Sequence, residues 1–170
     1  MNIVLTGFMG TGKTVVGKLL AKKLSYQYID SDEMIEKDVG MSISKIFKYK
    51  GEAFFREVES KAILLVSLLD KFIVATGGGV PLKSINMDEL EKKGFIVCLK
   101  AKAQTIFDRV KDDNSRPLLQ TEEPLKEIQK LLKQREEYYK RCDFSVDTDA
   151  YNVEKVADII IEKFNEKNNN

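Results

Sequence analysis

Short runs of apolar, often β-branched residues recur along the chain, separated by longer stretches in which apolar residues return at helical spacing. The runs are Ile3-Val4-Leu5, Tyr28-Ile29, Phe72-Ile73-Val74-Ala75, Phe95-Ile96-Val97-Cys98-Leu99 and Phe144-Ser145-Val146. They are continuous rather than alternating, which is the pattern of strands buried on both faces of a parallel sheet. The intervening segments Lys13 to Leu24, Gly51 to Leu69, Ala103 to Val110, Pro124 to Arg141 and Val153 to Phe164 carry the helical period and supply the crossovers. The pattern predicts an α/β fold with helices on both faces of the sheet. It forms one domain over residues 1–165, with a polar tail at 166–170 that is expected to fray.

Two polar stretches break the alternation of strand and helix, Glu33 to Gly51 and Lys111 to Glu123. Both are candidate moving parts. The second contains Asp-Asn-Ser-Arg-Pro and lacks apolar periodicity, so it reads as a surface loop long enough to act as a lid.

Bulk properties narrow the function by exclusion. A chain of 170 residues buries a hydrophobic core without a disulfide or structural metal. The formal charge of +1, from 28 basic and 27 acidic residues, gives no global field for nucleic acid or an anionic membrane. Cys98 and Cys142 fit neither a disulfide framework nor zinc spacing and read as buried free thiols. No basic-then-apolar leader and no membrane-length apolar run is present, so a cytoplasmic protein is expected.

The chemistry begins at Gly7-Phe8-Met9-Gly10-Thr11-Gly12-Lys13-Thr14, a G-x-x-x-x-G-K-[ST] pattern directly after a strand and directly before a helix. Glycines there let the backbone wrap a polyphosphate, with N–H groups and a helix N-terminus aimed at it, and Lys13 adds a positive charge. Thr14 offers an oxygen to Mg²⁺. At the end of the second strand, Asp30 and Asp32 stand at the carboxyl edge where ligands of such sheets collect. Asp30 is a candidate for a metal-bound water and Asp32 for an acceptor hydroxyl, while both also suit the cap of a following helix.

Three further features point to an acceptor. Read as a helix, Pro124 to Cys142 places Leu125, Ile128, Leu131, Leu132, Tyr139 and Cys142 on one stripe, and Arg135 falls inside it. An inward guanidinium needs an anion, either a ligand carboxylate or phosphate or an internal salt bridge. Arg56 poses the same question, with Glu59 three residues on and able to pair with it. Gly77-Gly78-Gly79 follows the third strand and keeps space clear for a close ligand. In the presumed lid, Arg116 precedes Pro117, which forces it into an extended conformation as a candidate phosphate clamp. Arg109, at the end of the preceding helix, is placed to lie on an adenine ring.

Taken in order, these motifs resemble shikimate kinase. The resemblance covers nearly the whole chain and rests on Gly7 to Thr14, Asp30-x-Asp32, Phe55-Arg56-x-x-Glu59, Gly77-Gly78-Gly79, Ser115-Arg116-Pro117-Leu118-Leu119, Arg135-x-x-x-Tyr139 and Val146-Asp147-Thr148. It implies a nucleoside-monophosphate-kinase type of P-loop fold with a five-stranded parallel sheet, a substrate-binding segment at about 31–60 and a lid at about 111–123. It also implies transfer of phosphate from ATP to the 3-hydroxyl of shikimate, on the route to chorismate. The implied roles put Gly10, Thr11, Gly12, Lys13, Thr14 and Val15 on the ATP phosphates, with Thr14 and Asp30 around Mg²⁺. Asp32 meets the acceptor hydroxyls, while Arg56, Arg135 and the Gly77, Gly78 and Gly79 amides take the shikimate side. Arg116 closes over the phosphates, and Arg109 with the Val146-Asp147-Thr148 loop takes the adenine. Lys13, Asp32 and Arg116 are the expected catalytic residues. The expected partners are small molecules only, with neither nucleic acid nor membrane, acting on a monomer.

Rival readings are a gluconate or nucleotide kinase and an inert nucleotide-binding module. Gluconate kinases carry a histidine soon after their acidic pair, whereas this chain has none. A lapsed kinase should have lost Lys13, Asp32 or an acceptor arginine, and all are present. No Asn-Lys-x-Asp guanine signature occurs.

Overall fold

The computed structural model describes residues 1–111 and 121–169. Five strands, β1 (Asn2–Thr6), β2 (Gln27–Asp30), β3 (Phe72–Ala75), β4 (Gly94–Lys100) and β5 (Phe144–Asp147), form one sheet in the order β2-β3-β1-β4-β5. All four pairings are parallel. The helices are α1 (Lys13–Leu24), α2 (Ser31–Val39), α3 (Ile43–Ser67), α4 (Ser84–Glu91), α5 (Ala103–Val110), α6 (Pro124–Tyr139) and α7 (Val153–Asn168). A single 3₁₀ turn, Val80–Leu82, follows the triple glycine. Among the described residues, no helix is long and apolar enough to cross a membrane.

The period of two along each strand divides the core between the faces of the sheet. Ile3, Leu5, Ile73, Phe95, Val97 and Leu99 point to one side and pack with Val16 and Leu20 of α1 and Val156, Ile160 and Phe164 of α7. Val4, Val74 and Ile96 point to the other and meet Ile63 and Val66 of α3 and Met87 and Leu90 of α4. Each such buried side chain contributes about 1.5–3 kcal/mol relative to an exposed one, which is why continuous apolar strands were required. A third cluster joins Phe8 of the phosphate loop to Cys98, Ile106, Val110, Ile128 and Tyr139, seating α5 and α6 against that loop.

The stretch from Glu33 to Gly51, read as a break in the alternation, is largely helical. Ile35 of α2 and Ile46 and Phe55 of α3 bury into a small cluster of their own. Within α3, Gly51 is non-helical at φ 83° and ψ 168°, a conformation essentially reserved for glycine, so two helical stretches meet at a kink there and the second starts at Gly51 as the sequence pattern expects. Helix α6 stops at Tyr139 rather than Arg141, because Arg141 turns aside to Glu91 and Asp88 of α4. The polar C-terminal stretch is helical to Asn168, with Lys167 bonded to Asp143 and lying over the Phe95 ring. Of the lid, residues 112–120 lie outside the described residues, Arg116 among them.

The two cysteines meet although they are distant in sequence. Cys98 is buried and Cys142 partly buried, both free, and hydrogen bonding to Cys142 together with burial pushes the Cys98 thiol up.

Candidate active site

Because every strand runs the same way, the loops after β1, β2, β3 and β5 open on one edge of the sheet. The loop after β1 leads into α1, whose N-cap is Gly12 at φ 99°, a left-handed conformation that a side-chain-bearing residue adopts only under strain. No side chain caps this helix and no acidic residue occupies its first turn, so its N–H groups and positive dipole end are left for an anion. Lys13 folds over the loop and donates to the carbonyls of Gly7 at 2.8 Å and Phe8 at 2.9 Å. Thr11 is buried and braces the loop by donating to the Phe8 carbonyl, while Thr14 and Val15 are exposed on the first turn of α1.

Asp30 is the N-cap of α2, accepting from the Asp32 amide at 2.9 Å. Its capping role does not exhaust it. Its other oxygen accepts from the Tyr28 hydroxyl at 3.2 Å. Tyr28 thus steadies one of the two oxygen donors expected around Mg²⁺, a role the sequence reading missed. Burial, then Asp30, pushes the Tyr28 phenol up, so it remains a neutral donor.

Asp32 lies against the triple glycine, such that a Cβ on Gly77 would come within 2.5 Å of its Oδ1. The Gly77 N–H is already engaged, donating to the hydroxyl of fully buried Ser31 at 3.0 Å. Carbonyls of this loop are also used: Gly77 and Gly79 accept from Val80 and Leu82, and Gly78 accepts from the Tyr139 hydroxyl at 2.7 Å. Gly78 and Gly79 keep N–H groups that bond to none of the described residues. Burial pushes the Tyr139 phenol up to about 12, so it too serves as a neutral donor.

Across the loop stands Arg56. Its NH1 makes a forked contact with Glu59 at 3.1 and 2.9 Å, while Nε and NH2 reach Glu52 at 3.3 and 3.2 Å. A Cβ on Gly79 would lie 2.3 Å from NH1, so Gly79 makes room for the guanidinium. Glu59 is only 1% exposed; burial pushes its carboxyl up while Arg56, Lys83 and Arg135 pull it back. Lys83 donates to the Arg56 carbonyl at 3.0 Å, pinning α3 to the 3₁₀ turn.

Arg135 behaves differently from Arg56. Its guanidinium sits over the Phe8 ring at 5.6 Å and forms no ion pair among the described residues. The internal salt bridge open to it from sequence is absent there. Arg135 is thus a half-buried cation beside Phe8 that makes no ion pair among the described residues, though Glu59 feels its charge, on the helix whose Tyr139 bonds Gly78.

Arg109 reaches from α5 to the phosphate loop, donating to the Gly10 carbonyl at 3.1 Å and to the Thr148 hydroxyl and carbonyl at 3.2 and 3.4 Å. It links the loop after β1 with the loop after β5. A cavity of about 310 Å³ lies between α6 and the end of β4, lined by Phe8, Thr11, Cys98, Leu99, Leu132 and Tyr139 among others. Neither Asp32, Arg56 nor Arg135 borders it.

Residues 9–165 match the protein family described as Shikimate kinase. A shikimate kinase of Thermodesulfovibrio yellowstonii is 48% identical over 168 residues, covering 99% of this chain and 97% of that protein. One of Caldicellulosiruptor bescii is 49% identical over 160 residues, covering 94% and 93%. Among solved structures, shikimate kinase from Acinetobacter baumannii in complex with shikimate superposes with a TM-score of 0.93 at 33% identity, covering 98% of this chain and 93% of that one.

Proposed function

The chain belongs to the shikimate kinase family, and from that premise we propose how its own residues divide the work of phosphorylating shikimate. The reaction is transfer of the γ-phosphoryl group of ATP to the 3-hydroxyl of shikimate, giving shikimate 3-phosphate and ADP. Phosphoryl transfer passes through a loose transition state, so positioning and charge neutralisation do most of the catalysis.

On the nucleotide side, the N–H groups from Gly10 to Val15 and the open end of α1 hold the phosphates. Lys13 exchanges its two carbonyl acceptors for phosphate oxygens, gaining an ionic partner in place of neutral ones. Thr14 and Asp30, the latter held by Tyr28, fit Mg²⁺, which binds few protein oxygens and completes its shell with water and phosphate. When bound, Mg²⁺ screens the charge of the β- and γ-phosphates. Arg116 is assigned to the same phosphates from the lid.

On the acceptor side, Arg135 and Arg56 grip the shikimate carboxylate, and the Gly78 and Gly79 amides donate to the ring substituents. Asp32 orients the 3-hydroxyl and accepts its proton as the new bond to phosphorus forms. The single observation that carries this placement is Arg135: a half-buried guanidinium over Phe8 that makes no ion pair among the described residues supports an anion arriving with the ligand. Gly77 contributes space for Asp32 rather than a free amide. The same proposal makes the protein a cytoplasmic monomer acting on small molecules.

A coupled ADP-release assay with Mg·ATP tests the reading, comparing shikimate with gluconate, quinate and nucleoside monophosphates. Shikimate stands out and Lys13→Met abolishes the signal. Equal turnover of gluconate, or none of any acceptor while ATP still binds, refutes it.

A further inference from the structure

The loop after β5 holds a carboxylate that the phosphoryl-transfer roles leave unused. Asp149 follows Thr148, and one of its oxygens accepts from the Lys102 amide at 2.7 Å, tying the loop to the start of α5. The other oxygen, Oδ1, is buried and has no hydrogen-bond partner among the described residues. A buried carboxylate oxygen without a donor is costly, and native structures retain one only where something uses it. The nearest cation is the Arg109 NH2, at 3.9 Å from that oxygen. Arg109 spends its hydrogen bonds on neutral acceptors instead, the Gly10 carbonyl and two oxygens of Thr148.

A charged donor and a charged acceptor therefore stand one small movement apart. Closing the gap to a charge-assisted bond needs a shift of about 1 Å. It would also hold the guanidinium by its NH2 edge, while NH1 is the nitrogen that reaches Gly10. A guanidinium presents a flat face to a ring only while its edge is held, and a carboxylate is the best-matched holder of that edge.

We propose that Asp149 is a positioning residue for the nucleotide: it takes the edge of Arg109 and orients that guanidinium flat against the adenine base. The proposal rests on the reading that Arg109 faces the base. Helix α5 thus carries the stacking arginine at its end, and its start is bonded to the same aspartate that orients it.

The test uses the full-length protein and the variants Asp149→Asn, Asp149→Ala and Arg109→Ala. The amide oxygen of Asp149→Asn still accepts from the Lys102 amide, so this variant keeps the loop tether and loses only the charge. Its KM for ATP rises about tenfold, as expected for the loss of one charge-assisted bond, its KM for shikimate stays within twofold, and its Tm stays at the wild-type value. Inhibition by inorganic tripolyphosphate, which has phosphates and no base, is unchanged. Asp149→Ala lowers Tm as well, through the lost tether. If Arg109→Ala raises the ATP KM while Asp149→Asn does not, the proposal is overturned and the nucleotide-side reading of Arg109 stands. If Arg109→Ala leaves the ATP KM unmoved, that reading falls and the proposal with it. A tripolyphosphate constant that shifts as much as the ATP KM also overturns the proposal, because the effect then runs through the phosphate loop.

Discussion

Tyr139 donates its buried hydroxyl to the carbonyl of Gly78 at 2.7 Å, so α6 holds the glycine loop one turn beyond the point where it presents Arg135. A single helix fixes both Arg135, the cation proposed to meet the acceptor, and the Gly78 backbone. Tyr139→Phe keeps the packing and leaves a buried carbonyl unpaired, which costs about 1–3 kcal/mol. We expect a fall in Tm of several degrees together with a raised KM for shikimate and an unchanged KM for ATP. Calorimetry and steady-state kinetics check it, and a variant with wild-type values in both would separate the loop from the helix.

Arg135→Ala should raise the shikimate KM about 10- to 100-fold, the range expected when a charge-assisted pair is lost. The ATP KM should change far less. Arg135→Lys recovers only part of the loss, because an ammonium cannot reproduce the planar fork. Equal effects on both substrates would sink the assignment of Arg135 to the acceptor.

The glycines at 77 and 79 predict two different defects. A methyl at Gly77 meets the Asp32 carboxylate at 2.5 Å, and one at Gly79 meets the Arg56 guanidinium at 2.3 Å. Each neighbour is the end of a side chain and can swing away, so the fold survives. Gly77→Ala should lower kcat by displacing the group that orients the hydroxyl, whereas Gly79→Ala should raise the shikimate KM and spare kcat. Kinetics of the two variants in parallel decide the matter; identical profiles would show that Asp32 and Arg56 are not separable.

Glu59 gives a pH dependence. Burial, its largest influence, raises its carboxyl above the ordinary value of 4.5, although Arg56 beside it pulls the other way. An acid whose folded pKa is raised contributes stability that is full below the unfolded value and is lost as pH climbs through the folded one. The Tm of the wild type, measured against that of Glu59→Gln, should therefore decline as pH rises from about 4.5. Paired melts between about pH 4 and about pH 8 test the sign, and a wild-type Tm that rises relative to that of Glu59→Gln as pH increases contradicts it.

The strands were legible because both faces of each carry apolar residues, and Ile3 to Leu5 or Phe95 to Leu99 admit little else. Helices α1 and α5 were read to the residue, since Gly12 and Lys102 precede clear periodic segments. Helix α2 and the first half of α3 were obscured because they bury few apolar side chains: Ile35 and Ile46 are the deepest of these, in a small cluster apart from the sheet. Gly51 looked like a helix boundary, and it is non-helical at the kink where two helical stretches meet. Helix α4 went unread as well, being short and flanked by lysines. Of the site, Arg56 with Glu59 was visible as a pair from spacing alone. Ser31 and Lys83 were not, because their partners Gly77 and the Arg56 carbonyl are brought to them only by the fold, and Tyr28 was not because nothing in its spacing marks its hydroxyl for Asp30.

That all five strands are parallel also has a practical side. The catalytic loops crowd one edge, while the first residue, bonded to Asp70, and the end of α7, bonded to Asp143 and stacked on Phe95, both lie at the opposite edge. An affinity handle or surface linker joined at either end would leave the molecule standing on its inert side with its working face outward, so immobilised protein should turn over substrate as the free protein does.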